Sequence, residues 1–169
     1  MLQIPFKPRA QILLQLGEQL IKNENIAILE LVKNAYDADA KKVVVNMHFI
    51  DDKDTGYIEI HDDGCGMSMD IIKDIWMEPG NSHKKDVVER KERSDLGRLP
   101  IGEKGIGRFA ILKLGRDIKI ITRPEGSDKE YFVDYDLSAY DDDFLTREGK
   151  QQELYIDDIK ITLVEESAF

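Results

Sequence analysis

One short stretch, residues 26–40, constrains the fold of this 169-residue chain more than any other. On a helix, Glu30, Asn34 and Asp37 fall at i, i+4 and i+7 and share one polar stripe. Apolar side chains occupy most of the remaining girth, interrupted only by Lys33, which predicts a helix buried on several sides. A carboxylate and a carboxamide one turn apart can activate a water and hold a hard cation. An ordinary amphipathic helix with a solvated polar face explains this stretch equally well when it is taken alone.

Composition narrows the class of protein. A hydrophobic fraction of 41% and a length of 169 residues suit a single domain with one sizeable core. The net charge of −10 argues against unaided binding to a phosphate backbone. Cys65 is the only cysteine, which excludes an internal disulfide and disfavours a cysteine-based metal site. No apolar run is long enough to cross a membrane and residues 1–9 lack a signal-peptide pattern, so we expect a cytoplasmic protein.

The remaining elements follow from hydrophobic period and turn residues. Asn23 or Asn25 is placed to cap the central helix, and Ser68 to cap a later one. Alternating or β-branched runs predict one strand hairpin before Ser68 and a second one after the last helix. The predicted helices are 10–21, 68–76 and 109–114, and the predicted strands are 43–49, 57–61, 117–123, 130–136 and 158–164.

A glycine-containing turn follows the second predicted strand. Asp63, Gly64 and Gly66 form an Asp-x-Gly-x-Gly pattern in which two glycines flank one residue. Such glycines let the backbone turn sharply and let a flat ligand approach it closely. An aspartate at the mouth of the turn can accept a hydrogen bond from an exocyclic amine such as N6 of adenine. A plain turn accounts for the pattern as well if it stands alone.

A long irregular segment leads into a glycine-rich loop. Residues 78–100 have no clean period, and a compact domain rarely carries so long an irregular segment unless it is a lid or is disordered. Residues 102–107, the glycine loop, open the predicted helix 109–114 and offer backbone N–H groups to an anion. Lys104 adds a charge that could reach a terminal phosphate. The loop matches neither a Walker nor a Rossmann pattern, and a flexible hinge is its alternative role.

Together the three motifs stand in a fixed order that resembles one superfamily. The order is Glu30-x-x-x-Asn34-x-x-Asp37, then Asp63-x-Gly-x-Gly, then Gly102-x-x-Gly105-x-Gly107. It resembles the GHKL group of ATP-binding domains, which includes the DNA gyrase B subunit, ninety-kilodalton heat-shock chaperones, sensor histidine kinases and MutL mismatch-repair proteins. The resemblance spans roughly residues 10–123, and the wording around Glu30 looks most like the MutL and microrchidia branch.

The resemblance implies an α/β fold of the Bergerat type. This is a two-layer sandwich of a mixed, mainly antiparallel sheet with helices on one face, here a single domain over 1–169 with an ATP lid at 78–101. Relatives usually carry a later Gly-Thr strand that supports the adenine-binding aspartate. Thr122 stands too early for that role, and Thr162 lacks the preceding glycine. The chain stops at Phe169 directly after a predicted strand, so we expect an excised N-terminal fragment of a longer protein.

The resemblance also implies a site for ATP and Mg²⁺. Glu30 is then the catalytic general base, Asn34 the Mg²⁺ ligand and Asp63 the acceptor for the adenine amine. The residues implied to bind the nucleotide are Asn34, Asp37, Asp63, Gly66, Met67, Asn81, Lys104, Gly105, Ile106, Gly107, Arg108 and Phe109.

The implied function is Mg²⁺-dependent ATP binding with slow hydrolysis to ADP and phosphate. In the full-length protein such a module would act as an ATP-gated clamp that forms a homodimer on ATP binding. Nucleic acid would be reached only through domains outside this chain, and no membrane partner is expected. Two alternatives are a histidine-kinase-type catalytic domain and a non-hydrolysing nucleotide-sensing module. Glu30 counts against both, because histidine kinases usually lack this glutamate and a sensor does not need it.

Overall fold

The computed structural model describes residues 3–52, 54–78, 93–102, 107–138 and 155–167. Predictions that concern Asn81, Lys104, Gly105 and Ile106, and those that concern most of the lid, therefore lie outside the described residues. The two N-terminal helices are α1, Gln11–Leu20, and α2, Glu24–Asp37. Asn23 caps α2, since its side-chain oxygen accepts a 3.0 Å hydrogen bond from the Ile26 N–H. The predicted cap is confirmed, and it sets the residue at which α2 begins.

The strands form two antiparallel sheets. β1, Val43–His48, pairs with β2, Tyr57–Asp62, as the predicted first hairpin. β3, Asp117–Thr122, pairs with β4, Lys129–Asp136, and β4 pairs in turn with β5, Thr162–Ser167. The predicted α/β class with mainly antiparallel strands is confirmed. Within the described ranges every strand pairing is antiparallel, and the strands are divided between a two-stranded and a three-stranded sheet.

The last strand begins later than the sequence predicted. β5 starts at Thr162, whereas the hydrophobic pattern placed a strand over 158–164. The reason is a 3₁₀ turn, Ile156–Asp158, whose Asp158 side chain accepts a 2.8 Å hydrogen bond from the Tyr155 N–H. This local hydrogen bond competes with strand pairing, so the strand begins only after the turn.

Two short helical segments follow the turns. Ile71–Trp76 is a π-helix where an α-helix was predicted, and the Ile71 N–H at its start donates a 3.3 Å hydrogen bond to Ser68 Oγ. A 3₁₀ turn, Gly107–Phe109, leads directly into α3, Ala110–Leu114. The glycine loop therefore opens a helical segment, as the sequence indicated.

The core lies between the three-stranded sheet and the helices. One buried side chain from each of α1, the π-helix and α3 packs with the buried side chains of β3 and β4. A second, smaller cluster joins α2 to α3 through Ala27 and Ala110, both fully buried. Within the described parts of the chain, no helix is long and apolar enough to cross a membrane. The buried members of the main cluster are Leu14, Ile72, Leu112, Ile118, Tyr131, Val133, Tyr135 and Leu137.

Candidate functional site

The glycine loop ends against the polar stripe of α2. A methyl carbon added at Gly107 would lie 3.2 Å from Glu30 Oε2 and 3.6 Å from Asn34 Oδ1. A side chain at position 107 would therefore press on the carboxylate, and glycine is the residue that fits without displacement. Two motifs that are distant in the sequence meet here, with a carboxylate, a carboxamide and bare backbone within reach of one ligand.

Glu30 is held by its neighbour Lys33. The Lys33 ammonium lies 2.6 Å from Glu30 Oε1, one turn further along α2, and the two side chains are 32% and 22% exposed. The ion pair occupies Oε1, while Oε2 is the oxygen beside Gly107. Sequence reasoning treated Lys33 only as an interruption of the apolar girth. Its i, i+3 spacing from Glu30 was the signal that could have identified this contact.

Asp37, the third residue of the polar stripe, contacts the start of the glycine loop. Its Oδ1 accepts a 2.8 Å hydrogen bond from the Ile101 N–H, and its Oδ2 accepts a 3.3 Å one from the Gly102 N–H. The resemblance implied that Asp37 binds the nucleotide, and this role stays a prediction. The two hydrogen bonds join Asp37 to the backbone from which the glycine loop begins.

Asp63 is held by backbone groups of the segment that follows α2. Its Oδ1 accepts hydrogen bonds from the backbone N–H groups of Lys42, at 2.8 Å, and Lys41, at 2.7 Å. These two donors, Lys42 foremost, hold the pKa of the Asp63 carboxyl below its ordinary value of 3.8. The side chain is therefore ionised at neutral pH and accepts hydrogen bonds without donating any.

The two glycines after Asp63 are required by the packing of the turn. A methyl carbon at Gly64 would lie 2.7 Å from the Ala38 carbonyl oxygen at the end of α2. Gly66 has a φ of +68°, and a methyl carbon there would lie 2.0 Å from the Arg123 carbonyl oxygen beyond β3. The turn is therefore closely packed between the end of α2 and the β3–β4 connection. This packing fixes the backbone next to Asp63.

A hydroxyl supports this turn from β3. The Met67 N–H donates a 2.9 Å hydrogen bond to Thr122 Oγ1. Sequence reasoning set Thr122 aside because of its early position in the chain, although it alternates with Ile118 and Ile120 and so belongs to the inward face of β3. Residues from α2, the turn and β3 line one open cleft. Its lining includes Asn34, Asp37, Asp63, Gly66, Met67 and Thr122.

Arg108 and Phe109 follow the glycine loop but direct their side chains elsewhere. The Arg108 guanidinium donates to the carbonyl oxygens of Ile75, of Trp76 at 2.7 Å and of Glu78 at 3.2 Å. It thereby satisfies carbonyl groups at the end of the π-helix, and burial lowers its pKa. Phe109 packs against the main core. Neither Arg108 nor Phe109 is among the residues that line the cleft.

Comparison with known proteins identifies the family. Residues 21–165 match the family model described as "Histidine kinase-, DNA gyrase B-, and HSP90-like ATPase". Because this match covers most of the chain, the chain belongs to that family, and the predicted membership of the GHKL superfamily is confirmed.

Individual relatives are much longer than this chain. It is 28% identical to the chaperone protein HtpG of Geobacter metallireducens over 142 residues, which is 73% of this chain and 22% of the relative. The same figures hold for HtpG of Geobacter sulfurreducens. The putative type II restriction enzyme HgiDII of Herpetosiphon aurantiacus is 32% identical over 111 residues, 66% of this chain and 16% of the relative. The chain thus spans about a fifth of the length of the curated relatives it matches.

Proposed function

We propose that this chain binds ATP with Mg²⁺ in the cleft lined by α2 and the Asp-x-Gly-x-Gly turn, with the phosphates toward Gly107 and Glu30, and hydrolyses it slowly. The observation that carries the proposal is the approach of Gly107 to Glu30 and Asn34. A second contact supports it, because the Cys65 N–H donates a 2.8 Å hydrogen bond to the Ala38 carbonyl and ties the Asp63 turn to the end of α2. The family description, which names ATPases, supports the choice of nucleotide.

Asp63 would recognise adenine. Both described hydrogen bonds of its carboxylate end on Oδ1, so Oδ2 is the oxygen assigned to the N6 amine of the base. A carboxylate that accepts from an amine selects adenine over guanine, whose O6 is itself an acceptor. Met67 and Thr122, joined by their hydrogen bond, would hold the turn beside the ring, and the backbone of Gly66 would lie against it.

Asn34 fits the role of a Mg²⁺ ligand. Its Oδ1 would lie 3.6 Å from a methyl carbon added at Gly107, and oxygen is the ligand type that Mg²⁺ prefers. Among the described residues no group of three or more His, Cys, Asp and Glu side chains could hold a metal by itself. Mg²⁺ is commonly held by one or two protein oxygens, with phosphate and water supplying the remaining ligands. When bound, Mg²⁺ would neutralise charge on the phosphates.

Glu30 would act as the general base. Its Oε2 would accept a proton from the attacking water, whose oxygen bonds to the γ-phosphorus as the bond to the ADP oxygen breaks. Lys33 would fix the carboxylate through Oε1. The backbone N–H groups of residues 107–109 would face the phosphates at the start of a helical segment. Roles at the phosphates for Asn81, Lys104, Gly105 and Ile106, and a direct nucleotide role for Asp37, remain predictions.

The wider cycle is also part of the proposal. The chain would be a single domain and an N-terminal piece of a longer protein, with residues 78–101 as ATP lid. ATP binding would close a homodimer, and the clamp formed in this way would open after hydrolysis. That the chain spans only about a fifth of its curated relatives supports a larger architecture of this kind. A cytoplasmic location remains a prediction.

Isosteric substitution of Glu30 separates binding from turnover. Glu30→Gln keeps the shape of the side chain and removes the base, so we expect near-normal Mg-ATP affinity and a rate lowered about 10²–10⁴-fold. Asn34→Ala should instead lose the Mg²⁺-dependent part of the affinity. Glu24→Gln, on the exposed first turn of the same helix, is the matched control and should change neither. Phosphate release and calorimetric titration are the assays, and a Glu30→Gln protein that hydrolyses ATP at the parent rate would remove Glu30 from the mechanism.

A further inference from the structure

The last turn of α2 ends in an unusual residue for its backbone conformation. The Asp39 N–H bonds to the Tyr36 carbonyl and the Ala40 N–H to the Ala35 carbonyl, both at 3.0 Å, which is the Schellman pattern that closes a helix. Asp39 occupies the left-handed position of this motif with a φ of 62°. Glycine is the common residue there, because a Cβ is strained at positive φ. Closure of the helix therefore does not explain the carboxylate.

The Asp39 carboxylate binds a segment from the far end of the lid region. Its Oδ1 accepts a 2.5 Å hydrogen bond from Ser94 Oγ, and its Oδ2 accepts a 3.1 Å hydrogen bond from the Leu96 N–H. Arg98 Nε lies 3.9 Å from Oδ1, and only 15% of the Asp39 side chain is exposed. The hydrogen bond from Ser94 is the main reason that the pKa of Asp39 lies below its ordinary value of 3.8.

Arg98 returns the contact from the opposite direction. Its Nη1 donates to the Ala40 carbonyl at 2.8 Å and to the Tyr36 carbonyl at 3.2 Å, and its guanidinium lies 4.5 Å from the centre of the Tyr36 ring. The Arg98 N–H also donates to Ser94 Oγ at 3.1 Å. Asp39, Ser94 and Arg98 thus form one connected cluster, which also includes Leu96 and Tyr36.

Residues 93–102, the lid arm, are therefore tied to α2 at two points. Asp39 binds the arm through Ser94 and Leu96, and Asp37 binds it through Ile101 and Gly102, where the glycine loop begins. Asp37 is the last residue of the helix that carries Glu30 and Asn34, and Asp39 belongs to the turn that closes this helix. The arm is thereby fixed relative to the two side chains assigned to hydrolysis and to metal binding.

We propose that Asp39 is a positioning residue of the nucleotide site, which acts through Ser94 and Leu96 to hold the lid arm in place. The proposal rests on the function proposed above. With the arm held, less conformational entropy is lost when the γ-phosphate of ATP binds beside Gly107. ADP lacks that phosphate, so Asp39 favours ATP over ADP. Both carboxylate oxygens of Asp39 accept hydrogen bonds from the arm, so Asp39 acts on the nucleotide site through the arm.

Asp39→Gly tests this with little risk to the helix end. Glycine suits a φ of 62°, so the variant keeps the Schellman closure and loses only the carboxylate. Without nucleotide, we expect amide hydrogen exchange at Leu96 and Arg98 to rise about tenfold or more, because local opening of the arm becomes easier. Affinity for a non-hydrolysable ATP analogue should fall about fivefold or more relative to ADP, the range typical of energetic coupling between sites.

A matched control and a second variant keep the test decisive. Like Asp39, Asp52 accepts one hydrogen bond from a hydroxyl, that of Thr55, and one from a backbone N–H, that of Asp54. Asp52 lies in the β1–β2 loop. Asp52→Gly should leave exchange in the arm and the preference for ATP unchanged. Ser94→Ala removes the same contact from the side of the arm and should reproduce Asp39→Gly.

The outcomes distinguish this inference from the function on which it rests. If both Asp39→Gly and Ser94→Ala keep the parent's exchange rates and its ATP-to-ADP preference, the positioning role is overturned. If the parent chain binds neither nucleotide, the proposed function fails and the positioning role fails with it. Hydrogen exchange in the nucleotide-free protein still decides in that case whether Asp39 holds the arm.

Discussion

Gly107→Ala should impair hydrolysis without weakening the fold. The new methyl carbon would lie 3.2 Å from Glu30 Oε2, tighter than an ordinary carbon–oxygen contact, so the carboxylate must move by a few tenths of an ångström. A misplacement of 1 Å costs about 10²-fold in rate, and this smaller shift should therefore cost roughly threefold to tenfold. The free energy of unfolding should be unchanged or rise by up to about 1 kcal/mol, because alanine reduces the entropy of the unfolded chain.

The assay compares kcat and urea denaturation for this variant and a control. Gly115 has an extended backbone, with φ of −172°, and a methyl carbon there would meet no atom within 4 Å. Gly115→Ala should therefore leave both the rate and the stability close to those of the parent. A Gly107→Ala protein with the parent's kcat would refute the inference that position 107 lies against the catalytic carboxylate. An equal loss of rate in Gly115→Ala would show that the effect is not specific to the site.

Three further changes test the framework of the site. Gly66→Ala should destabilise the fold by about 3 kcal/mol or more in urea denaturation, because its methyl carbon would overlap the Arg123 carbonyl at positive φ. Backbone donors lower the pKa of Asp63 in the folded protein, so the ionised side chain stabilises the fold at pH values above its ordinary pKa of 3.8. This stabilisation is lost as the pH falls through the lower folded-state pKa. In Asp63→Asn, the free energy of unfolding should therefore depend less on pH in the acid range. Arg108→Met should lower stability by about 1.5–3 kcal/mol, because it leaves carbonyl groups of the π-helix unpaired, and an unchanged urea midpoint would contradict that role.

Local sequence signals predicted the elements that depend on near neighbours. The cap at Asn23 and both hairpins follow from turn residues and period, and the structure confirms them. The start of β5 was wrong because the side chain of Asp158 closes a 3₁₀ turn that competes with the strand. The π-helical form of Ile71–Trp76 was also missed, since an apolar period does not distinguish it from an α-helix.

The site was predicted in outline, and its supporting contacts were not. Glu30 and Asn34 could be placed together because a helix has a fixed period. Thr122 and Asp39 were missed because their partners, Met67 and Ser94, are each 55 positions away and meet them only in the folded chain. A single sequence has no local signal for such contacts, whereas the three ordered motifs carried enough information to indicate the family.

Calorimetric titration of the parent chain with Mg-ATP and with Mg-GTP tests the central claim most directly. If Asp63 accepts from the adenine amine in this cleft, ATP should bind and, at a hundredfold excess over its dissociation constant, stabilise the fold by about 2.7 kcal/mol. GTP should bind much more weakly, since its O6 would face the ionised carboxylate. Asp63→Asn should then lose affinity for ATP far more than for GTP. Equal affinities for ATP and GTP in the parent, or no heat of binding for either, would contradict the account.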